Sequence, residues 1–172
     1  MDRKDIIKIV SSFVVNSPDN RVKENVALSD SVSGIKIFDE PIFGFGDADD
    51  NYFQLFKNPT IIGNHFITPK EWLPGARTII SFFLPFSDSV RKSNIKDKRW
   101  PSEGWLHGRI EGQEFLLKVS LKLSQILQEA GYKAIIPFID ARYQSRSSEA
   151  YSKYSIPKFN SNWSERHIAF VC

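Results

Sequence analysis

The chain has 172 residues, of which 23 are basic and 20 acidic, so its net charge at pH 7 is +3. Its single cysteine, Cys172, excludes an internal disulfide, a cysteine-ligated iron–sulfur cluster and a cysteine-based zinc site within these residues. The mild charge does not indicate a nucleic-acid binder, and the length predicts one domain over residues 1–172.

Neither a membrane span nor a targeting segment is visible. No run approaches the roughly 18 apolar residues that are needed to cross a bilayer, and the N-terminus lacks a signal-peptide core. We therefore expect a cytoplasmic protein without a membrane partner. Basic residues bunch only within residues 91–99, and because charge runs are usually solvated, we predict a charged loop over residues 87–103.

The N-terminal part is predicted to hold a helix, a strand and a polar segment. Apolar residues recur at spacings of three and four over residues 3–15, which predicts an amphipathic helix. Alternation over residues 34–43 favours a short edge strand. The segment Gly44–Asp50 has two glycines that permit close backbone approach, and three carboxylates. It indicates a polar loop or helix start rather than a calcium loop, because the regular ligand spacing and closing Glu are missing.

The middle of the chain has the clearest patterns. Pro74-Gly75 predicts a tight turn, and the apolar run over residues 78–86 predicts a strand covered on both faces. An apolar stripe over residues 112–130 predicts a helix, and Gly131 follows where a left-handed cap is expected. Residues 133–139 predict another strand, which ends at Asp140.

The C-terminal part is predicted to be a loop followed by a helix. Residues 141–162 are polar and predict a long loop, after which Asn162 and Glu165 are spaced as a variant capping box. The chain then stops within an apolar run. Either a C-terminal helix docks on the core, or the chain is the N-terminal part of a longer protein, with an apolar patch near residues 168–172 that favours self-association.

This order of elements predicts an α/β (α+β) fold in which a mixed β-sheet is flanked by helices, as a single-layered sandwich domain. Asp140 is the first candidate for chemistry, because ligands gather at the carboxyl ends of strands in open α/β sheets. Apolar neighbours would desolvate its carboxyl group, raise its pKa and let it donate a proton near neutral pH. The alternative is a structural Asp that caps the next turn or pairs with Arg142.

Two further segments hold candidate binding residues. Trp105, His107, Gly108 and Arg109 combine side chains that suit a flat or anionic ligand, although an ordinary loop with one buried Trp explains them as well. Glu165 fits a helix N-terminus, and Arg166 suits an anion or a carboxylate. The sequence contains no phosphate-binding loop, dinucleotide glycine motif or nucleophile elbow, and its histidines have no neighbours that resemble a metal site.

Three segments together resemble the epoxyqueuosine reductase family. Residues 71–80, which read Glu-Trp-Leu-Pro-Gly-Ala-Arg-Thr-Ile-Ile, resemble its Leu-Pro-Gly-Ala-Arg turn and strand. Residues 138–140 resemble its Asp-bearing strand end, and residues 164–169 its Glu-Arg helix start. The resemblance runs from about residue 41 to the end of the chain, and is strongest to the relatives from anaerobes that are described as iron–sulfur proteins.

The resemblance implies the N-terminal, cobalamin-binding part of a corrinoid-dependent reductase. In that family, 4Fe–4S clusters in a C-terminal ferredoxin-like part deliver electrons, and reduced cobalt attacks an epoxide carbon of a tRNA nucleoside. A carboxylic acid, which Asp140 matches by position, protonates the oxygen of the opening epoxide. Trp105, His107, Gly108, Arg109, Glu165 and Arg166 are then the expected cofactor contacts.

The chain also departs from the family pattern. The Pro that follows the Asp is absent, and residues 108–112 replace an Asp-Tyr-His segment, which weakens the expectation of corrinoid contacts there and weakens that of tRNA further. The cluster part is missing. The sequence therefore predicts a domain that is not competent for reduction on its own, and whether it serves an oxidoreductase is left open. The alternative is a non-catalytic binding or protein-interaction module on the same scaffold.

Overall fold

A computed structural model describes residues 1–151 and 157–172 of the chain. The α-helices of these residues are α1 (Arg3–Asn16), α2 (Tyr52–Leu55), α3 (Pro69–Trp72), α4 (Asp88–Asn94), α5 (Glu103–Arg109), α6 (Glu111–Glu129) and α7 (Glu165–Val171). The strands are β1 (Ile42–Asp47), β2 (Thr78–Phe83), β3 (Ser145–Tyr151) and β4 (Pro157–Ser161). Within the described ranges, no helix is long and apolar enough to cross a bilayer.

The predicted mixed α/β (α+β) class is confirmed, with the described strands divided between two small sheets. β1 pairs with β2, and β3 pairs with β4 in an antiparallel ladder that places Ser145 opposite Ser161. The chain groups into two compact units. The first comprises Met1–Phe43 and Phe82–Lys133, and the second comprises Gly44–Ser81 and Ala134–Cys172. The prediction of a single domain stays a prediction.

The first unit is built around α1 and α6, the two helices that the periodicity predicts. Asp2 and Asp5 form a capping box at the start of α1, and the buried side chains of Val10 and Val14 face inwards. Phe13 of α1 stacks on Phe115 of α6 with 6.1 Å between the ring centroids. Both helix predictions are confirmed, because their apolar stripes have a partner to cover them.

The second unit has an aromatic core. Trp163 stacks on Phe66 at a centroid distance of 6.2 Å and meets Trp72 edge-on at 6.2 Å. The predicted turn leads out of this core into β2. The amide of Ala76 donates to the carbonyl of Leu73 over 2.9 Å, and Gly75 has a φ of 82°, which a Pro-Gly type II turn requires.

Several predicted strands and loops are wrong. Of the strand predicted over residues 34–43, residues 35–41 make only isolated bridges, at Lys36 and Phe38. The segment Gly44–Asp50, predicted as a polar loop or helix start, begins inside β1. The predicted loop 87–103 contains α4, which the hydroxyl of Ser87 caps. The predicted coverage of β2 on both faces is also wrong, since Phe83 is 63% exposed.

The strand predicted over residues 133–139 is absent, and Pro137–Ile139 forms a 3₁₀ turn instead. Proline has no amide hydrogen for a strand ladder, and Ile135 packs on the core of the second unit from outside the hydrogen-bonded sheets. The apolar run therefore reflects packing rather than a sheet, and Asp140 follows a turn. In the described parts of residues 141–162, β3 and β4 replace the predicted loop; residues 152–156 of that prediction lie outside the described residues.

Helix α7 begins after Ser164, so the predicted cap at Asn162 is wrong. Asn162 is buried instead, where its side chain accepts from the amide of Gln144 over 2.9 Å and donates to the carbonyl of Arg142 over 2.7 Å. Ile168 is buried in the core, as docking of this helix requires, whereas Phe170 is 70% exposed. The expected apolar patch is thus smaller than residues 168–172.

The end of α7 explains the two glycines of β1. A Cβ atom at Gly44 would lie 2.9 Å from the Cβ of Cys172, and one at Gly46 would lie 3.1 Å from its sulfur. Glycine at both positions lets the helix end lie directly on the strand. Burial raises the pKa of the Cys172 thiol, so this group is a weak nucleophile at neutral pH.

Candidate functional site

Asp140 and Arg142 form the most organised polar group among the predicted site residues. The Oδ1 atom of Asp140 accepts from the backbone amide of Arg142 over 2.9 Å and from its Nε over 2.8 Å. Its Oδ2 atom accepts from Nη2 of the same guanidinium over 3.2 Å. The carboxylate therefore receives a forked pairing from a residue two positions away, which fixes both side chains.

Arg142 fastens this pair to the Trp-Leu-Pro-Gly segment. Its Nη2 donates to the carbonyl of Trp72 over 2.9 Å, and its Nη1 donates to that of Glu71 over 3.3 Å. The guanidinium carbon lies 4.8 Å from the ring centroid of Trp72, within the range of a cation–π interaction. These contacts join residues 140–142 to a chain segment that is about seventy residues earlier in the sequence.

This geometry contradicts the expected electrostatics of Asp140. The side chain of Asp140 is 24% exposed, but the hydrogen bonds from the side chain and backbone of Arg142 outweigh desolvation and lower the pKa of the Asp140 carboxyl. The expectation of a raised pKa is therefore wrong. Asp140 is a carboxylate at neutral pH, paired with Arg142 and fixed in the following turn, as the structural alternative describes.

Arg142→Met should release this carboxyl. We expect the pKa of Asp140 to rise, because Met keeps much of the apolar stem but removes the guanidinium and its hydrogen bonds. The pKa is measured by carboxyl ¹³C NMR titration, with Arg109→Met as the matched control. An unchanged Asp140 pKa in Arg142→Met would show that the forked pairing does not set it.

The pairing also carries a pH dependence of stability. Because the pKa of Asp140 is lower in the folded than in the unfolded chain, its contribution is fully present above the unfolded pKa. That contribution is lost as the pH falls through the folded pKa. Arg142→Met removes this contribution, so the unaltered chain should be more stable than the variant at neutral pH. The difference in free energy of unfolding, measured by urea unfolding at each pH, should narrow as the pH falls.

The third family-like segment lies in the same unit as Asp140. The hydroxyl of Ser164 is 2.8 Å from Nδ1 of His167, and the ring of His167 meets that of Phe56 at a centroid distance of 5.1 Å. These contacts give the half-buried His167 a hydrogen-bond partner and an aromatic neighbour within the fold. Glu165 and Arg166 are exposed in the first turn of α7, so both are accessible to solvent.

The residues predicted from the Trp-Leu-His-Gly-Arg segment lie in the first unit, on α5, and not in a loop. His107 is 3% exposed, and its Nε2 accepts from the amide of Leu28 over 3.2 Å. Since Nε2 is the acceptor, Nδ1 carries the hydrogen and donates to Glu111 over 2.9 Å. Both ring nitrogens are occupied, so His107 connects parts of the fold.

Gly108 is likewise used by the fold. A Cβ atom there would lie 2.3 Å from Cε1 of Phe86, a distance that no real contact has, so this glycine allows α5 to pack on the Phe86 ring. Trp105 is half-buried and Arg109 is exposed, with the guanidinium carbon 5.8 Å from the Trp105 ring centroid. Of the four residues on α5 that were expected to contact a corrinoid, only Trp105 and Arg109 present accessible surface. These four residues therefore fit a corrinoid poorly.

The acidic segment after β1 borders an open cleft of about 500 Å³. Its carboxylates are engaged locally: Asp47 accepts from the amide of Asp49, and Asp50 from that of Tyr52, each over 2.9 Å. Lys70 pairs with Asp49. Within residues 1–151 and 157–172, no group of three or more His, Cys, Asp or Glu side chains is arranged to hold a metal ion.

Sequence reasoning missed Trp72 as the support of the Asp140–Arg142 pair. Trp72 stands just before the predicted Leu-Pro-Gly turn, and no periodic pattern relates it to Arg142.

Comparison of the chain with models of known protein families, with curated proteins and with solved structures finds no match.

Proposed function

We propose that this chain is the N-terminal, corrinoid-binding-type domain of a cytoplasmic iron–sulfur reductase related to epoxyqueuosine reductase. One observation supports the proposal: the three segments that resemble the family lie together in the second unit. Arg142 bonds the Asp140 segment to Glu71 and Trp72, and Trp72 contacts Trp163, which directly precedes the Ser-Glu-Arg segment. In this proposal, the 4Fe–4S clusters belong to a separate cysteine-rich part.

The chemistry of Asp140 sets a condition on this proposal. An acid that protonates a departing oxygen must first hold a proton, and pairing with Arg142 opposes protonation of Asp140. Asp140 acts as an acid only when a bound substrate draws the guanidinium away from it. In the free protein, the carboxylate positions Arg142 on the carbonyls of Glu71 and Trp72.

We expect the chain alone to show no reductase turnover and to bind cobalamin weakly. The first expectation is tested by anaerobic incubation with reduced corrinoid, an artificial electron donor and tRNA that carries epoxyqueuosine; turnover would refute it. The second is tested by titrating cobalamin absorbance with protein. Absence of saturation up to about 1 mM protein would count against a corrinoid-binding domain.

A second candidate is a non-catalytic interaction module on the same scaffold. It is favoured because two predicted site residues bond to other residues of the chain: Asp140 is in an ion pair with Arg142, and both ring nitrogens of His107 are hydrogen-bonded. Variants separate the two candidates. Saturable cobalamin binding that Asp140→Asn changes, and Asp97→Asn does not, would support the reductase domain, whereas absence of saturation would support the module.

A further inference from the structure

The segment from Asp88 to Pro101 contains five basic and two acidic residues, so its net charge of +3 equals that of the whole chain. The rest of the chain is therefore neutral overall, and the excess positive charge is concentrated in one short part of the first unit. The basic residues are Arg91, Lys92, Lys96, Lys98 and Arg99. Arg91 pairs with Asp39 over 3.5 Å, Lys92 with Asp88 over 2.7 Å and Arg99 with Asp97 over 3.7 Å. Lys96 and Lys98 are exposed, and among the described residues neither has an ion-pair partner.

The fold holds this segment in place from its base. The amide of Ser102 donates to the side chain of Asn94 over 3.0 Å, and the hydroxyl of Ser93 donates to that of Ser102 over 2.9 Å. These bonds close residues 95–101 into a loop. Below it, Val90 of α4 is fully buried and anchors the helix that leads into the loop. The two ends of the loop are thus held together by hydrogen bonds, and we call this closure the clamp.

Two large apolar side chains emerge close to this clamp. Ile95 directly follows Asn94 and is 75% exposed, and Trp100 precedes Ser102 by two positions and is 73% exposed. Because the clamp joins Asn94 to Ser102, both side chains start from the same small region. They are the two most exposed of the large apolar side chains in residues 1–145 and 161–172.

We propose that this loop, residues 95–101 with Arg91 and Lys92, adsorbs the protein to an anionic membrane surface. Several clustered cations beside exposed apolar side chains are the combination that binds acidic headgroups while Trp and aliphatic groups enter the interface. Ile95 favours this partner over single-stranded nucleic acid, because an aliphatic side chain gains from hydrocarbon but offers no ring for base stacking. Surface adsorption departs from the expectation of no membrane partner, which rests on the lack of a spanning segment, because adsorption needs no span.

The test is co-sedimentation of the full chain with phosphatidylcholine vesicles that contain or lack phosphatidylglycerol. We expect binding only to the anionic vesicles, with affinity falling as ionic strength rises from about 0.05 M to about 0.5 M. Removing the loop cations in K96A/K98A/R99A should weaken binding about a hundredfold, at about fivefold per cation. The control K4A/K8A/K133A makes the same change in net charge at exposed lysines outside the loop and should change binding less than about threefold.

Trp100→Ala should weaken vesicle binding about tenfold, whereas Tyr132→Ala, which removes another exposed aromatic ring, should leave it unchanged. Failure of the unaltered chain to bind anionic vesicles at low ionic strength would overturn the proposal. Equal losses in the two triple variants would overturn it too, because net charge alone would then explain binding. If the chain binds single-stranded RNA more tightly than vesicles, and Trp100→Ala abolishes that RNA binding, the partner of the loop is a nucleic acid and the membrane proposal is overturned.

Discussion

Trp72→Ala is expected to destabilise the protein by about 3–5 kcal/mol, the range for removing a large buried aromatic side chain. Trp72 is 2% exposed, it meets Trp163 edge-on at 6.2 Å, and its ring lies under the Arg142 guanidinium. Alanine leaves a cavity that these neighbours cannot fill. Urea unfolding followed by circular dichroism measures the loss.

Two variants sharpen this test. Trp100→Ala removes the same side chain from a site that is 73% exposed, so stability should change by no more than about 0.5 kcal/mol. Trp72→Phe should cost much less than alanine, because a phenyl ring fills most of the indole site. It also removes the indole Nε1, which is buried without a hydrogen-bond partner among the described residues. Equal losses in Trp72→Ala and Trp100→Ala would contradict a core role for Trp72.

Asn20→Ala is expected to cost about 2–5 kcal/mol, because it leaves three buried backbone groups without partners. The side chain of Asn20 is 1% exposed, and its amide nitrogen donates to the carbonyls of Val14 and Phe38 over 2.9 Å each. Its oxygen accepts from the amide of Phe38, also over 2.9 Å. One side chain therefore joins the end of α1 to the segment before β1.

The matched control is Asn16→Ala. Asn16 is exposed, and its amide donates only within α1, to the carbonyl and hydroxyl of Ser12. Its loss should change stability by no more than about 0.5 kcal/mol, since water replaces the exposed bonds. Thermal unfolding of both variants at the same pH decides the matter. If Asn20→Ala and Asn16→Ala have the same melting temperature, the hydrogen bonds of the buried Asn20 side chain do not stabilise the first unit.

Local patterns predicted what local forces decide. The stripe of α6 and the Pro74-Gly75 turn were predicted because an apolar stripe and a left-handed glycine are properties of neighbouring residues. The same reasoning failed for residues 133–139, since an apolar run fits a strand and an irregular packed segment equally well. They are distinguished only by pairing in the fold, since residues 133–139 belong to neither of the described two-stranded sheets.

The candidate site was predicted in part. Asp140 was identified with its pairing to Arg142 as one of two alternatives, and the structure has that pairing. The carbonyl partners of Arg142 could not be predicted, because Glu71 and Trp72 are far away in the sequence. The sequence places His107 among the candidate binding residues for a flat or anionic ligand, and only the fold reveals that Leu28 and Glu111 bond both its ring nitrogens.

The order of residue types along the chain suffices to predict the mixed α/β class, the two long helices, the Pro-Gly turn and the concentration of charge before Pro101. Three further properties emerge only in the folded chain: Asp140 is an ionised carboxylate, Gly108 serves packing on Phe86, and residues 95–101 form a loop that the Asn94–Ser102 hydrogen bond closes. The physical reason is that ionisation and burial depend on which atoms surround a group, and folding brings those atoms from distant parts of the chain.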